Sequence, residues 1–145
     1  MQVKGPAIHS ASAPRPVGHY PHARRVGNLL FLSGIGPRDP STNHAPGNVY
    51  AADGSLQSYD IALQTQSVFD NVERVLESCG ATWADVVDVT VFLTDMARDF
   101  AVYNALWAEK FPDASLAPCR TTVGITALPA PIAIEFKCTA VLKEA

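Results

Sequence analysis

Two charged residues stand out for where they fall. Arg120 follows Pro118 and Cys119 and opens the β-favouring run Thr121-Thr122-Val123. Its planar guanidinium can hold a carboxylate through two parallel hydrogen bonds. Glu135 is the only charge in Ile132-Ala133-Ile134-Glu135-Phe136. A carboxylate among apolar strand residues must be paired, or its pKa must rise. A raised pKa suits a general acid/base working near neutral pH. The same two residues could instead form a structural ion pair across neighbouring strands. On the residues alone the two readings stand level.

Other chemistries find less support. His19 and His22 are three apart, which on a strand points them to opposite faces, while His9 and His44 fall in loops. A zinc site wants about four converging ligands, so no metal centre is expected. Ser33 precedes Gly34, but Phe31-Leu32-Ser33-Gly34-Ile35-Gly36 is not a Gly-x-Ser-x-Gly elbow. No histidine is spaced to form a dyad with Cys119. Gly34-Ile35-Gly36 is too short to cradle a phosphate.

The elements that must position these residues follow from periodicity. Residues 1–17 are rich in Pro, Ser and Ala and read as an irregular lead-in. His19 to Arg25 and Asn28 to Ser33 read as two strands joined by turn chemistry at Val26-Gly27-Asn28. Residues 36–57 hold a dense set of Gly, Pro, Asn and Asp and read as one long loop, either functional or a solvated excursion.

Residues 58–79 form the clearest helix. Ser58 is the expected N-cap, and Ala62, Thr65, Phe69, Val72, Leu76 and Cys79 draw the buried stripe. Gly80 is the expected C′ residue. Thr82 could cap a single turn. Val86 to Leu93 alternates, with Val87, Val89, Val91 and Leu93 on one face. A second helix fits Ala97 to Phe111, stopped by Pro112, with Phe100, Tyr103, Leu106, Trp107 and Lys110 near one side. Thr121 to Thr126 and Ile132 to Leu142 read as strands.

The order β-β-α-β-α-β-β is an α+β arrangement in a single domain over residues 1–145. Both helices then cover one face of one mixed sheet. The other face needs burial by a second copy of the chain, so a homo-oligomer is expected.

Composition bounds the partners. Hydrophobic residues make up 48% and charged residues 17%, with net charge −3. The basic residues are scattered, which argues against nucleic acid as a partner and against RNA as a substrate. No apolar run approaches the roughly 20 residues of a membrane helix. The start, Met1 to Pro6, lacks the apolar core of a signal peptide. Three cysteines (Cys79, Cys119, Cys138) at wide spacing suggest free thiols in a reducing, cytoplasmic setting.

Several segments resemble a known family. Val17-Gly18-His19-Tyr20, Phe31-Leu32-Ser33-Gly34, Val89-Thr90-Val91-Phe92-Leu93-Thr94-Asp95, Phe100-Ala101-Val102-Tyr103-Asn104, Arg120-Thr121-Thr122-Val123 and Ile132-Ala133-Ile134-Glu135 are similar to the Rid (YjgF-type) imine/enamine deaminases, in family order. The resemblance implies a chorismate-mutase-like fold and a homotrimer with a ligand cleft at each subunit interface. It implies that Arg120 binds a substrate carboxylate, that Glu135 handles water, and that Tyr20, Ser33 and Asn104 line the pocket. No cofactor is implied.

Many members carry a cysteine two residues after the arginine, where this chain has Thr122. That departure, with Pro21 to Asn28, Ser33 to Arg38 and Arg120 to Ile125, most resembles the 2-aminomuconate deaminase branch. Such a substrate has two carboxylates. Arg24, Arg25, Arg38 and Lys137 are the candidates for the second, and Thr122 joins the substrate-binding set. Lys137 shares a strand face with Glu135, where its ammonium would lower the carboxyl pKa. The rival functions are a general imino-acid deaminase and a non-enzymatic ligand-binding or chaperone-like trimer.

Overall fold

In a computed structural model, residues 5–143 are described; Met1 to Lys4, part of the segment judged to lack a signal peptide, lie outside them. The strands are β1 (Ala7–Ile8), β2 (Ala23–Val26), β3 (Leu29–Leu32), β4 (Val49–Tyr50), β5 (Leu56–Ser58), β6 (Val86–Leu93), β7 (Cys119–Gly124) and β8 (Ile134–Val141). The helices are α1 (Ile61–Ser78) and α2 (Met96–Lys110), with a 3-10 turn at Trp83–Asp85. Six strands form one sheet in the order β1-β2-β3-β8-β6-β7, and β4 pairs with β5 separately. All pairings in the large sheet are antiparallel except β6 with β7, which the α2 crossover makes parallel.

Local chemistry explains most boundaries. Gly27 at φ 59° makes the two-residue turn between β2 and β3. Gly80 at φ 74° ends α1, and Ala81 N–H reaches back to the Leu76 carbonyl at 2.9 Å. Asp60, not Ser58, caps α1: its carboxylate accepts from Leu63 N–H at 3.1 Å. Ser58 is instead the last residue of β5. Asp95 caps α2 in the same way, through Arg98 N–H at 3.0 Å.

Both helices lie on one face of the sheet. Phe136 of β8 shows why, since its ring meets Phe69 of α1 at 5.4 Å and Trp107 of α2 at 6.0 Å. Leu30, Leu32, Val89, Val91, Leu93, Ile134 and Cys138 complete this fully buried layer. On α2 the buried stripe is narrower than its spacing suggests. Tyr103 and Trp107 are inside, but Phe100 is 38% exposed and Lys110 lies on the surface.

Three further expectations need correction. The lead-in is not wholly irregular, because Ala7–Ile8 pairs with Ala23 and Arg24. The 36–57 segment is not a bare loop. It contains β4 and most of β5, and side chains of α1 hold it. Asn71 donates to the Gly36 and Arg38 carbonyls, Ser67 to the Pro37 carbonyl, and Gln64 to Asn48. Finally, Val87 is 45% exposed while Val86 is buried. A register shift between Val86 and Asp88 turns Val87 outward before the alternation resumes at Val89.

The face away from the helices carries Leu29 and Phe31, 38% and 40% exposed, beside Thr90, Phe92, Glu135, Lys137 and Thr139.

Candidate functional site

Arg120 is placed by an edge strand and a helix together. On β7 it pairs in register with Val89, so its side chain points to the helix face. There α2 supplies its surroundings. The guanidinium carbon stands 5.1 Å from the Tyr103 ring centre and 5.1 Å from that of Trp107. Such cation–π contacts are worth about 0.5–2 kcal/mol and fix the plane of the fork. Nη2 donates to Asn104 Oδ1 at 2.9 Å. Nη1 is buried and has no partner among the described residues. A buried guanidinium nitrogen without an acceptor is costly, and this arm is free to donate to an anion.

Thr122 lies on the same face, one pair further along β7. Its hydroxyl shares a 2.7 Å hydrogen bond with the Tyr103 hydroxyl. Tyr103 is fully buried, and burial raises its pKa. The bond therefore ties β7 to α2 just below Arg120.

Glu135 lies elsewhere. On β8 it pairs with Phe92, whose own neighbour is Val123, and all three point away from the helices. Arg120 and Glu135 thus occupy opposite faces, with β6 between their strands. This removes the reading of a structural ion pair within one chain. Glu135 is partly buried, and burial alone pushes its carboxyl pKa up. Lys137 does not offset that shift. Its ammonium donates to the Leu32 carbonyl, and partial burial lowers its own pKa.

Gly34 brings the Tyr20–Ser33 region to Glu135. A Cβ on Gly34 would stand 2.8 Å from Glu135 Oε2, so only glycine allows this approach. Ser33 and Gly34 line a small cavity with Tyr20, His22 and Arg38. The Ser33 hydroxyl donates to the Pro21 carbonyl at 2.7 Å. His22 fixes the cavity wall, since its Nδ1 accepts from Ser10 N–H at 2.9 Å and its Nε2 donates to the Pro14 carbonyl at 2.7 Å. Those bonds require the neutral Nε2–H tautomer. His22 is therefore a packed structural residue rather than a surface one.

The candidates for a second carboxylate separate by position. Arg25 points to the helix face far from Glu135 and bonds the Gly27 carbonyl at 2.8 Å. Arg24 is on the Glu135 face, on β2 with β3 between it and β8, and is bonded to the Gly5 carbonyl at 2.7 Å. Arg38 lines the cavity itself.

The described residues therefore form two separate side-chain clusters. One is Arg120, Asn104 and Thr122 on their aromatic base. The other is Glu135, Gly34, Ser33 and Tyr20. A family model described as Endoribonuclease L-PSP matches residues 10–142, spanning both halves. The chain belongs to this family, which takes in the Rid and RutC proteins.

A RutC family protein of Pyrococcus horikoshii is 37% identical over 133 residues, covering 92% of this chain and 94% of that one. Reactive Intermediate Deaminase A, chloroplastic, of Arabidopsis thaliana is 34% identical over 140 residues, covering 97% of this chain and 67% of that one. The YjgF gene product of E. coli has the same fold, with a TM-score of 0.79, 30% identity and coverage of 96% and 100%.

Within this Rid-family chain the sequence reading missed Tyr103 and Trp107 as supports of the arginine. Their signal was present: an i, i+4 aromatic pair on the α2 stripe with Asn104 between. The thiols are free, and burial raises Cys79 and pushes Cys138 up to about 12. No helix among the described residues is long and apolar enough to cross a membrane.

Proposed function

We propose that this protein hydrolyses imines and enamines of carboxylic acids. Its preferred substrate is 2-aminomuconate, released as 4-oxalocrotonate and ammonia during bacterial breakdown of aromatic rings. The observation that carries this reading is the buried, unpartnered Nη1 of Arg120, held in plane by Tyr103 and Trp107. The likeness to a reactive intermediate deaminase supports the reaction class.

The working site forms between subunits of a homotrimer. Arg120, Asn104 and Thr122 of one copy face Glu135, Ser33 and Tyr20 of the next. The exposed Leu29 and Phe31 on the uncovered sheet face supply apolar surface for that association.

The reaction needs no more than positioned groups. Arg120 binds the carboxylate next to the nitrogen-bearing carbon. The enamine takes a proton from solvent at carbon and becomes a protonated imine. Glu135, made more basic by burial, removes a proton from water as the oxygen attacks the imine carbon. The same carboxyl then gives that proton to nitrogen and, ionised again, takes the remaining hydroxyl proton as the C–N bond breaks, so the carbonyl forms and ammonia leaves. Acid/base help of this kind is worth roughly 10²–10⁴ in rate.

The experiment compares ammonia release from 2-aminomuconate and from 2-iminopropionate. A clear preference for the first is expected. Equal rates would make the protein a general imino-acid deaminase. No release from either would leave a ligand-binding protein.

A further inference from the structure

The sheet face left uncovered by the helices carries two opposite charges side by side, and they do not pair. Glu135 and Lys137 stand two residues apart on β8, against Phe92 and Thr90 of β6. Residues so spaced share a face, with about 6.7 Å between them along the strand. Among the described residues the one ion pair is Arg98 with Asp99, so neither charge is spent on the other. Asp88, against Thr139 on the same face, does not pair with Lys137 either.

The neighbouring strand holds the two heads apart. Pairing of β3 with β8 stops at Phe31 with Thr139 and resumes at the bridge between Ile35 and Phe136. Leu32, Ser33 and Gly34 there face only Lys137 and Cys138, and the extra residue bulges the strand. The Lys137 ammonium donates to the Leu32 carbonyl at this bulge. The Glu135 carboxylate lies against Gly34, where a Cβ would stand 2.8 Å from Oε2. The two charges therefore bracket Ser33. An ammonium has three N–H donors, so two remain on Lys137.

The other three basic candidates are placed elsewhere. Arg25 is on the helix face, and β3 lies between Arg24 and β8. Arg38 lines a cavity that does not include Glu135, and its head is held by the Arg15 carbonyl and Asn43 Oδ1. Lys137 alone of the four shares both the strand and the face of Glu135. Its side chain is exposed there. Burial is the only cause of the raised Glu135 pKa, so the ammonium is not turned on the base.

We infer that Lys137 is a specificity-determining residue: with the imine carbon at Glu135, its ammonium receives the substrate's second carboxylate. This rests on the deaminase reading above and deepens it, by naming the group that selects imines of diacids. The spacing of the two residues along β8 is comparable with the reach from the imine carbon to the far carboxylate of a five- or six-carbon diacid.

The test uses the intact protein and two imines formed in situ by oxidation of amino acids, 2-iminoglutarate with a second carboxylate and 2-iminobutanoate without one. For wild type the ratio of their kcat/KM values favours the diacid. Lys137→Gln keeps a donor but removes the charge, and the ratio falls about tenfold, through KM for the diacid. Lys137→Arg keeps the charge and retains most of the preference. An unchanged ratio in Lys137→Gln, even with lower rates on both imines, overturns the inference and leaves Lys137 a structural residue. A wild type that turns over both imines without preferring the diacid overturns it too, while the deaminase reading stands. If wild type turns over neither imine, the deaminase reading fails first and takes this one with it.

Discussion

Arg120 and Glu135 point to opposite faces of one sheet, their strands separated by β6. Neither side chain can reach a small substrate held by the other within the same chain. Arg120 lies on an edge strand and Glu135 on a strand inside the sheet. On the proposed function a second copy brings them together, and association and catalysis then depend on the same surfaces.

The contact between Gly34 and Glu135 makes the first prediction. In Gly34→Ala the added methyl meets the end of a flexible side chain 2.8 Å away, and Glu135 swings aside. Stability changes little, because Gly34 has no positive φ to lose. Turnover falls by about 10² or more, since the displaced carboxylate no longer meets the attacking water. Steady-state kinetics beside a thermal melt checks this; a fully active variant contradicts it.

Glu135 also gives a pH dependence. Its carboxyl pKa is raised in the folded state by burial. The base must be ionised, so kcat/KM falls on the acid side with a midpoint above the ordinary glutamate range. Stability runs the other way. Between the unfolded and the higher folded pKa the native state binds more protons, so stability falls as pH rises through that window. Glu135→Gln therefore raises Tm at neutral pH, and the gain shrinks as the pH drops below the window. Melts of both proteins across pH 4–8 measure it; a lower Tm for the variant at neutral pH contradicts it.

Much of this was legible in the sequence. The β6 boundaries, the Gly27 turn and the Gly80 helix end follow from local residue types. The pairing of strands is not local. Arg120 reaches the helix face only because β7 runs parallel to β6 in the register Val89 to Arg120, and a slip of one residue would turn it over. Val87 faced the wrong way for a similar reason, a bulge that alternation does not reveal. Asp60 displaced Ser58 as cap because β5 extends through Ser58.

Thr122 and Tyr103 form the next test. Thr122→Val removes one partner of the 2.7 Å bond and leaves the fully buried Tyr103 hydroxyl unpaired. The expected cost is about 1–3 kcal/mol in chemical denaturation, with a rise in KM as the base under Arg120 loosens. A variant as stable as wild type contradicts this.

The shared site is tested most directly by mixing two inactive variants. Arg120→Ala and Glu135→Gln each lose turnover alone. Unfolded together in equal amounts and refolded, they form mixed oligomers in which some interfaces pair an intact Arg120 with an intact Glu135. Random assembly restores about a quarter of wild-type activity, because each half of a site is intact half the time. Recovery near that level is the predicted result. Mixed oligomers as inactive as either parent would contradict a site built from two chains.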